Sequence, residues 1–590
     1  MPLSPMATTR EAATRQRLIA AHVDGRSEGD AYDEEAGALT FQVISWHAVD
    51  EEEEDSGEDE APAREGSSTK YVLRAFGVTA GGRSVCLRIE GFTPFLYVKL
   101  PVPLCRGPRR SAAIGALLQH LGGFGRATHL RKKDFWGFTN GELFDFVRIT
   151  FPSRAAMRRA ASRLVRPQKV GGALGGAMVP MQLYEANMDP MLRFLHVRGL
   201  RPVGWVKATG VRLEASASSC QLSAACPWQA VSPLSPEEQD RRGQAPLLVA
   251  GFDIECNSAH GDFPVARKDY RRLAIDVEGA WSRPCTGAVG AVGSLRGMGD
   301  YDAKERLVAI ALAALGLADE SEHKEVARLE LKRRPARGTA EAAALERTVK
   351  RVMDDVHALL RDDDKAAADA RRTAGRAKAK PTIHPEDEQQ EEQQDNSTIG
   401  RLTAVLNGAF ADRWPLHGDA VIQIGLTVGL YGAAGCCSKH ILTLGSCEPI
   451  AGSDVCVFEK EEDMLEAFVE LVRAIDPDVL LGYNIFGFDL SYLHERAGEL
   501  MGEARRTARF HRFGRVSGLP SAYVEQKLSS SALGDNVLKY LDMHGRVVVD
   551  LMKASWGPGE RRGARSSPLC PRATHTLRGG VQSLAGGISR

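Results

Sequence analysis

The sequence has no excess of either charge: 76 Lys and Arg offset 76 Asp and Glu over 590 residues. The chain as a whole therefore does not advertise nucleic acid binding, and any such contact has to come from local patches. No uninterrupted apolar run is long enough to cross a bilayer. The start, MPLSPMATTREAATRQRLIA, is basic but lacks the apolar centre of a secretory signal, so none is expected. Eleven cysteines form no Cys-x-x-Cys pair, and adjacent Cys436-Cys437 has neither metal-ligand nor disulfide-framework spacing. Reduced thiols in a nuclear or cytosolic protein are the plain expectation. Hydrophobic residues at 43% and charged residues at 26% leave a globular chain long enough for several domains.

Within that chain, Leu247-Leu248-Val249-Ala250-Gly251-Phe252-Asp253-Ile254-Glu255-Cys256 is an apolar run ending in two acids. A short apolar run bounded by turn formers predicts a buried strand. Side chains two apart on a strand share a face, so Asp253 and Glu255 project together while Ile254 faces the other way. Two acids so close repel unless a cation or hydrogen-bond donors meet them, and a divalent metal is the simplest answer. A strand running out into solvent, where both acids stay hydrated, is the alternative.

A second stretch, DPDVLLGYNIFGFDLSYLHERA, runs from an apolar strand into a helix with Asp489 near its start. Asn484 ahead of it offers a side-chain amide to a substrate or to the loop. Together, FDIECNSAHGDFP and GYNIFGFD resemble the first and second motifs of the 3′→5′ proofreading exonuclease of family B DNA polymerases, in particular the delta type and versions from large DNA viruses of algae and protists. The resemblance implies an α/β, ribonuclease H-like exonuclease domain preceded by a mostly β amino-terminal domain. It implies that Asp253, Glu255 and Asp489 are catalytic and hold two divalent ions, Mg²⁺ or Mn²⁺, with a further Asp from a third motif. Asn484 and Phe488 would then contact substrate. DNA with a single-stranded 3′ end or a primer-template would be the partner. The complete protein would add other replication subunits and a sliding clamp, in the nucleus or at an intracellular viral replication site.

Along the chain, residues 1–40 carry little periodicity and predict a disordered start. The segments 41–47, 71–77, 85–89 and 91–98 alternate like strands, with Gly81-Gly82 as a hairpin turn and an acidic run from Asp50 to Glu60 as a solvated loop. FQVISWH, KYVLRAFGVT and GFTPFLYV resemble the amino-terminal domain of the same polymerases, which the resemblance places over 41–245. Within it, Arg131-Lys132-Lys133-Asp134-Phe135-Trp136-Gly137-Phe138 sets basic charge beside aromatics. Two readings stay open: cations and rings offered to a single strand, or a hairpin whose Phe135 and Phe138 pack inward. Pro190 early in 184–196 predicts a capped helix. The segment 215–242 reads as a linker or surface loop.

The exonuclease domain is expected over 246–555, interrupted at about 281–400 by a low-complexity insertion whose only regular piece is a surface helix over 339–361. The basic stretch 371–380 reads as a solvated tail or nuclear address. Met464, Leu465, Phe468, Leu471, Val472 and Ile475 recur at helical spacing and define an apolar stripe. Arg505–Arg515 is strongly basic, with structural and functional readings in balance. The match to the family ends near Ser555, and 556–590 shows no periodicity. No third exonuclease motif or palm motif follows, which suggests truncation and a chain inactive alone. A non-catalytic DNA-binding fragment is the alternative, as is a free-standing metal-dependent nuclease in which Asp550 replaces the missing acid.

Overall fold

The computed structural model describes residues 32–52, 69–105, 107–121, 125–135, 137–169, 178–214, 218–258, 263–283, 285–286, 291–292, 294–318, 326, 328–374, 397–530 and 534–555. The expected disordered start lies outside these residues except for 32–40. Also outside are most of the acidic loop, most of the basic stretch 371–380, and the tail from 556.

The chain begins with strands β1 (Ala38–Glu52), β2 (Thr69–Val78) and β3 (Ser84–Glu90), paired antiparallel in sequence. Thr79 closes the β2–β3 turn over Gly82, which sits at φ +86°, where a side chain would be strained. A βαββαβ unit follows: β4 (Phe95–Lys99), α1 (Gly107–His120), β5 (Arg126–Lys133), β6 (Leu143–Thr150), α2 (Arg154–Leu164) and β7 (Gln182–Tyr184). Its sheet runs β7-β4-β6-β5, the ferredoxin-like order. Leu96, Val98, Val147 and Ile149 face the two helices and form the core of this unit.

Helix α3 (Pro190–Arg198) starts as the sequence predicts, with the Asp189 carboxylate capping Met191 N–H at 2.8 Å and Pro190 in its first turn. The chain then returns to the first sheet through β8 (Gly204–Ala208), β9 (Arg212–Leu213), β10 (Leu222–Pro227) and β11 (Val231–Pro233), giving the order β9-β10-β3-β2-β1-β8-β11. Helix α4 (Pro236–Arg242) follows, closed by a capping box between Ser235 and Glu238. The linker expected over 215–242 is therefore corrected over its described part. Leu222, Ala224 and Cys226 are buried, and β10 pairs parallel with β3, a non-local contact that alternation could not announce.

The second large sheet starts with β12 (Leu248–Asn257). After it come four helices, α5 (Arg271–Ser282), α6 (Asp300–Ala314), α7 (Ala340–Ala374) and α8 (Thr398–Phe410). These share their own core: Leu273, Val277, Trp281, Leu307, Leu345, Val349, Val352, Val356, Leu402, Leu406, Phe410 and Trp414 are all buried together. Over its described residues, the low-complexity reading of about 281–400 is corrected here, as is the solitary surface helix. The folded unit also starts earlier and ends later than expected, from Tyr270 to Leu416.

The sheet then resumes with β13 (Ala420–Leu430), β14 (Ser438–Leu444) and β15 (Asp454–Phe458), followed by α9 (Glu461–Ile475), β16 (Val479–Gly482), α10 (Asp489–Arg505), the hairpin β17 (Ala522–Ser530) and β18 (Gly534–Asp542), β19 (Val547–Asp550) and α11 (Leu551–Ser555). The order is β15-β14-β13-β12-β16-β19, with β12 central, antiparallel to β13 and parallel to β16. Met464, Leu465, Phe468, Val472 and Ile475 of α9 are buried against this sheet, as their spacing predicts. The chain is α/β, with helices covering a mixed sheet.

Candidate active site

Position along β12 sets the first half of the site. Phe252 and Ile254 are buried while Asp253 and Glu255 are exposed, the alternation that a period of two requires. Asp253 pairs with Gly425 of β13, and a register irregularity follows Glu255. The strand therefore delivers both acids to one face near its end.

The loop after β16 sets the second half. Asn484 adopts φ +60°, and its carbonyl accepts the N–H groups of Gly487 (2.9 Å) and Phe488 (3.0 Å). A Cβ on Gly487 would lie 2.3 Å from Asn484 Oδ1, so any larger residue there would push the Asn484 side chain off the turn. Gly482 is more tightly constrained, because a Cβ there would meet the Phe252 carbonyl, a backbone atom, at 2.7 Å. This tight loop places Asp489 as the first residue of α10, beside β12. Asn484 thus serves the loop directly.

Asp489 is 3% exposed and its Oδ1 has no hydrogen-bond partner. Burial, then the neighbouring Asp253 carboxylate, push its pKa up to about 7, although backbone N–H groups at its own position and at Ile254 favour the ion. The two side chains are within hydrogen-bonding reach of each other. A buried acceptor facing a second acid fits an oxygen-seeking cation such as Mg²⁺, which takes one or two carboxylates and completes its shell with water and phosphate. Glu255 shares Asp253's face. Among the described residues no three His, Cys, Asp or Glu gather closely enough to hold a metal ion as a group. The structure thus joins Asp253 to Asp489 and leaves Glu255 beside them.

Aromatic rings flank the acids. Phe488 meets Phe263 edge-on at 5.3 Å and Tyr492 at 5.1 Å, and Phe263 and Tyr483 are largely exposed. The sequence reading did not single out Phe263 or Tyr483. Their proximity in sequence to the two acidic motifs was the available signal. Asp550, the substitute acid of the free-standing nuclease reading, is buried and occupied. It accepts the backbone N–H groups of Asn484, Phe486 and Met552 at 2.9–3.0 Å. Most of the basic stretch 505–515 is structural: Arg505 pairs with Glu466 at 2.8 Å, Arg506 with Glu503, and Arg515 is wholly buried.

The profile of the DNA polymerase family B exonuclease domain matches residues 181–272 and 413–555, on either side of the four-helix unit. The chain carries the exonuclease domain of a family B DNA polymerase. It is 30% identical over 542 residues to the DNA polymerase of Pyramimonas orientalis virus, covering 90% of this chain and 41% of that protein. It is 25% identical over 499 residues to the DNA polymerase delta catalytic subunit of Bos taurus, covering 82% of this chain and 31% of that one. The chain thus spans less than half the length of these relatives. Among solved structures, the family B DNA polymerase from the archaeon Pyrobaculum calidifontis aligns at 15% identity with a TM-score of 0.35, over 87% of this chain and 36% of that one.

Proposed function

We propose that this chain is the amino-terminal and exonuclease portion of a delta-type replicative DNA polymerase, and that the cleft between β12 and α10 removes nucleotides from single-stranded DNA 3′ ends. The observation that carries this reading is the buried Asp489 carboxylate, which lies within hydrogen-bonding reach of Asp253 and keeps its Oδ1 without a partner. In it, Asp253 and Asp489 hold the divalent ions, with Glu255 on the same face. Bound divalent cations supply Lewis-acid stabilisation of phosphate charge and a water nucleophile at neutral pH. The helix start positions the Asp489 carboxylate, where the macrodipole favours its ionised, ligating form. Phe488, Phe263 and Tyr483 offer faces on which the terminal bases stack. DNA is the substrate, and in the complete protein other replication subunits and a sliding clamp are the partners. The nucleus or a viral replication site is the place of action.

The test is twofold: Mn²⁺ titration by calorimetry, and cleavage of a 5′-labelled single-stranded oligonucleotide by the 590-residue chain. Mn²⁺ binding that disappears in both Asp253→Ala and Asp489→Asn is expected. With it should come weak cleavage, stronger in Mn²⁺ than in Mg²⁺, because Mn²⁺ binds carboxylate sites more tightly. Mn²⁺ binding indifferent to both substitutions would overturn the assignment. Robust Mg²⁺-dependent cleavage lost in an otherwise stable Asp550→Ala would instead establish the free-standing nuclease.

A further inference from the structure

The βαββαβ unit of the amino-terminal half has two different faces. Its helices cover one, burying Leu96, Val98, Val147 and Ile149. The pairings Tyr97↔Arg148, Lys99↔Phe146 and Lys132↔Phe144 put the alternate residues of β4, β6 and β5 on the other. That second face carries Tyr97, Phe144, Lys99, Lys132 and Arg148, half-buried or exposed, while Phe146 at its centre is buried beside Tyr184, ring centres 5.3 Å apart. Its rings and cations are already matched to each other. Lys132 Nζ lies 5.1 Å from the Tyr97 ring centre, Lys99 Nζ 4.1 Å from that of Phe144, and the Arg148 guanidinium 5.6 Å from that of Phe95.

At one end of this face, the β5–β6 hairpin projects into solvent. Phe135 is 80% exposed and Phe138 94% exposed, next to Arg131, Lys132 and Lys133 at the end of β5. The inward-packing alternative for these two rings is thereby excluded. Exposed phenylalanines cost solubility, and a fold does not need two of them on a tip already anchored by Asp134, which binds Lys99 and accepts the Tyr184 hydroxyl at 2.7 Å. Lys132 and Arg148 have no carboxylate partner among the described residues, and Arg148 Nε is buried without a hydrogen bond.

We propose that this open face and its hairpin bind single-stranded nucleic acid at a site separate from the Asp253–Asp489 cleft. The chemistry is that of four-stranded-sheet readers, in which bases stack on sheet aromatics while Lys and Arg meet the phosphates. A protein ligand is disfavoured, because the patch sets Lys132 and Arg148, which meet no carboxylate among the described residues, beside separated rings rather than one contiguous apolar core. The site does not rest on the exonuclease reading, since none of its residues touches the acid cleft.

The experiment measures fluorescence anisotropy of labelled 12-nucleotide DNA and RNA single strands with the 590-residue chain carrying Asp253→Ala, in EDTA. This removes both cleavage and the metal cleft. Lys132→Glu and Phe138→Ser, both at exposed positions, are each expected to weaken binding about tenfold, the scale of one stacked base or a reversed phosphate contact. Their thermal midpoints should match that of the parent. Tighter binding of DNA or of RNA would identify which sugar the face prefers, and either preference supports the site if both variants weaken it. Three outcomes overturn the proposal: no binding at micromolar protein, affinities within twofold of the parent in both variants, or equal affinity for a duplex of the same length.

Discussion

Asp550 Oδ1 accepts the backbone N–H of Asn484 at 3.0 Å, across the end of the parallel pair β16–β19. Its Oδ2 takes the N–H of Phe486 at 3.0 Å, and Oδ1 also takes Met552 N–H at 2.9 Å. One buried carboxylate therefore fixes the left-handed turn that aims Asp489 at Asp253. Removing it orphans buried donors, each worth about 1–3 kcal/mol. Asp550→Ala should cost on the order of 3 kcal/mol in urea unfolding, and Mn²⁺ affinity at the cleft should fall with it. A variant of parental stability that has lost only cleavage would show that Asp550 is a ligand.

The four-helix unit leaves and rejoins the sheet at neighbouring points. Asp419 N–H donates to Val265 O at 2.9 Å, and Asp419 Oδ2 accepts Val265 N–H at 2.9 Å. Deleting 281–400 would strand α5 and α8 with Leu273, Val277, Leu402, Leu406 and Phe410 facing water, so aggregation or a sharply lower thermal midpoint is expected. Excising 270–416, with a Gly/Ser link from Asp269 to His417, should leave a soluble domain with its cleft intact. Both deletions behaving alike in calorimetry would mean that the unit is integral to the sheet rather than inserted into it.

What the sequence disclosed follows from period and local chemistry. Asp253 and Glu255 share a face because strands repeat every two residues, and the stripe from Met464 to Ile475 is buried because helices repeat every 3.6. The α3 cap and the Gly82 turn needed no knowledge of distant partners. What it hid depended on such partners. Ala-rich α7 looks like low complexity until α5, α6 and α8 cover it. The strand β10 shows no alternation because both its faces meet protein. Asp550 reads as one acid among many until the loop it holds, more than sixty residues earlier, is brought against it.

Histidines buried as neutral rings predict an acid limit to stability. His494 Nδ1 lies 3.0 Å from His511 Nε2, and its ring stacks on Tyr523 at 3.8 Å, tying the β17–β18 hairpin to α10. Burial first, then Arg506 and His511, lower His494 to about 3. Burial and Arg506 lower His511 to about 4. Below the unfolded-state pKa of about 6.5 the unfolded chain binds protons that the folded chain refuses. Their contribution is therefore complete above pH 6.5 and lost as pH falls towards 4. Thermal midpoints should be flat above neutrality with respect to these groups and drop below pH 6.5, less steeply in His494→Gln. An identical acid slope in that variant would sink the assignment.

Arg515 has its whole side chain buried among Asp476 (Nε to Oδ1, 2.8 Å), Asp478 (Nη2 to Oδ1, 2.8 Å) and the Gly545 carbonyl (3.1 Å). Burial alone would lower its pKa, but the two carboxylates outweigh that and raise it. The network reaches the cleft and the amino-terminal half at once. Asp478 Oδ2 accepts Leu248 N–H at 2.8 Å, at the start of the strand that carries Asp253, and Arg515 O accepts Ser219 N–H at 2.9 Å. Arg515→Ala would leave both acids buried without the guanidinium that bridges them, while Arg546 still reaches Asp476 at 2.9 Å. Breaking such a pair costs about 3–5 kcal/mol, so the variant should unfold at markedly lower urea. Arg515→Lys should recover only part, because an ammonium cannot span two carboxylates and the carbonyls of Gly545, Asp476 and Pro477 as the planar fork does. A loss below about 1 kcal/mol in Arg515→Ala, the scale of an exposed pair, would show that water reaches these acids and that the network does not join the two halves.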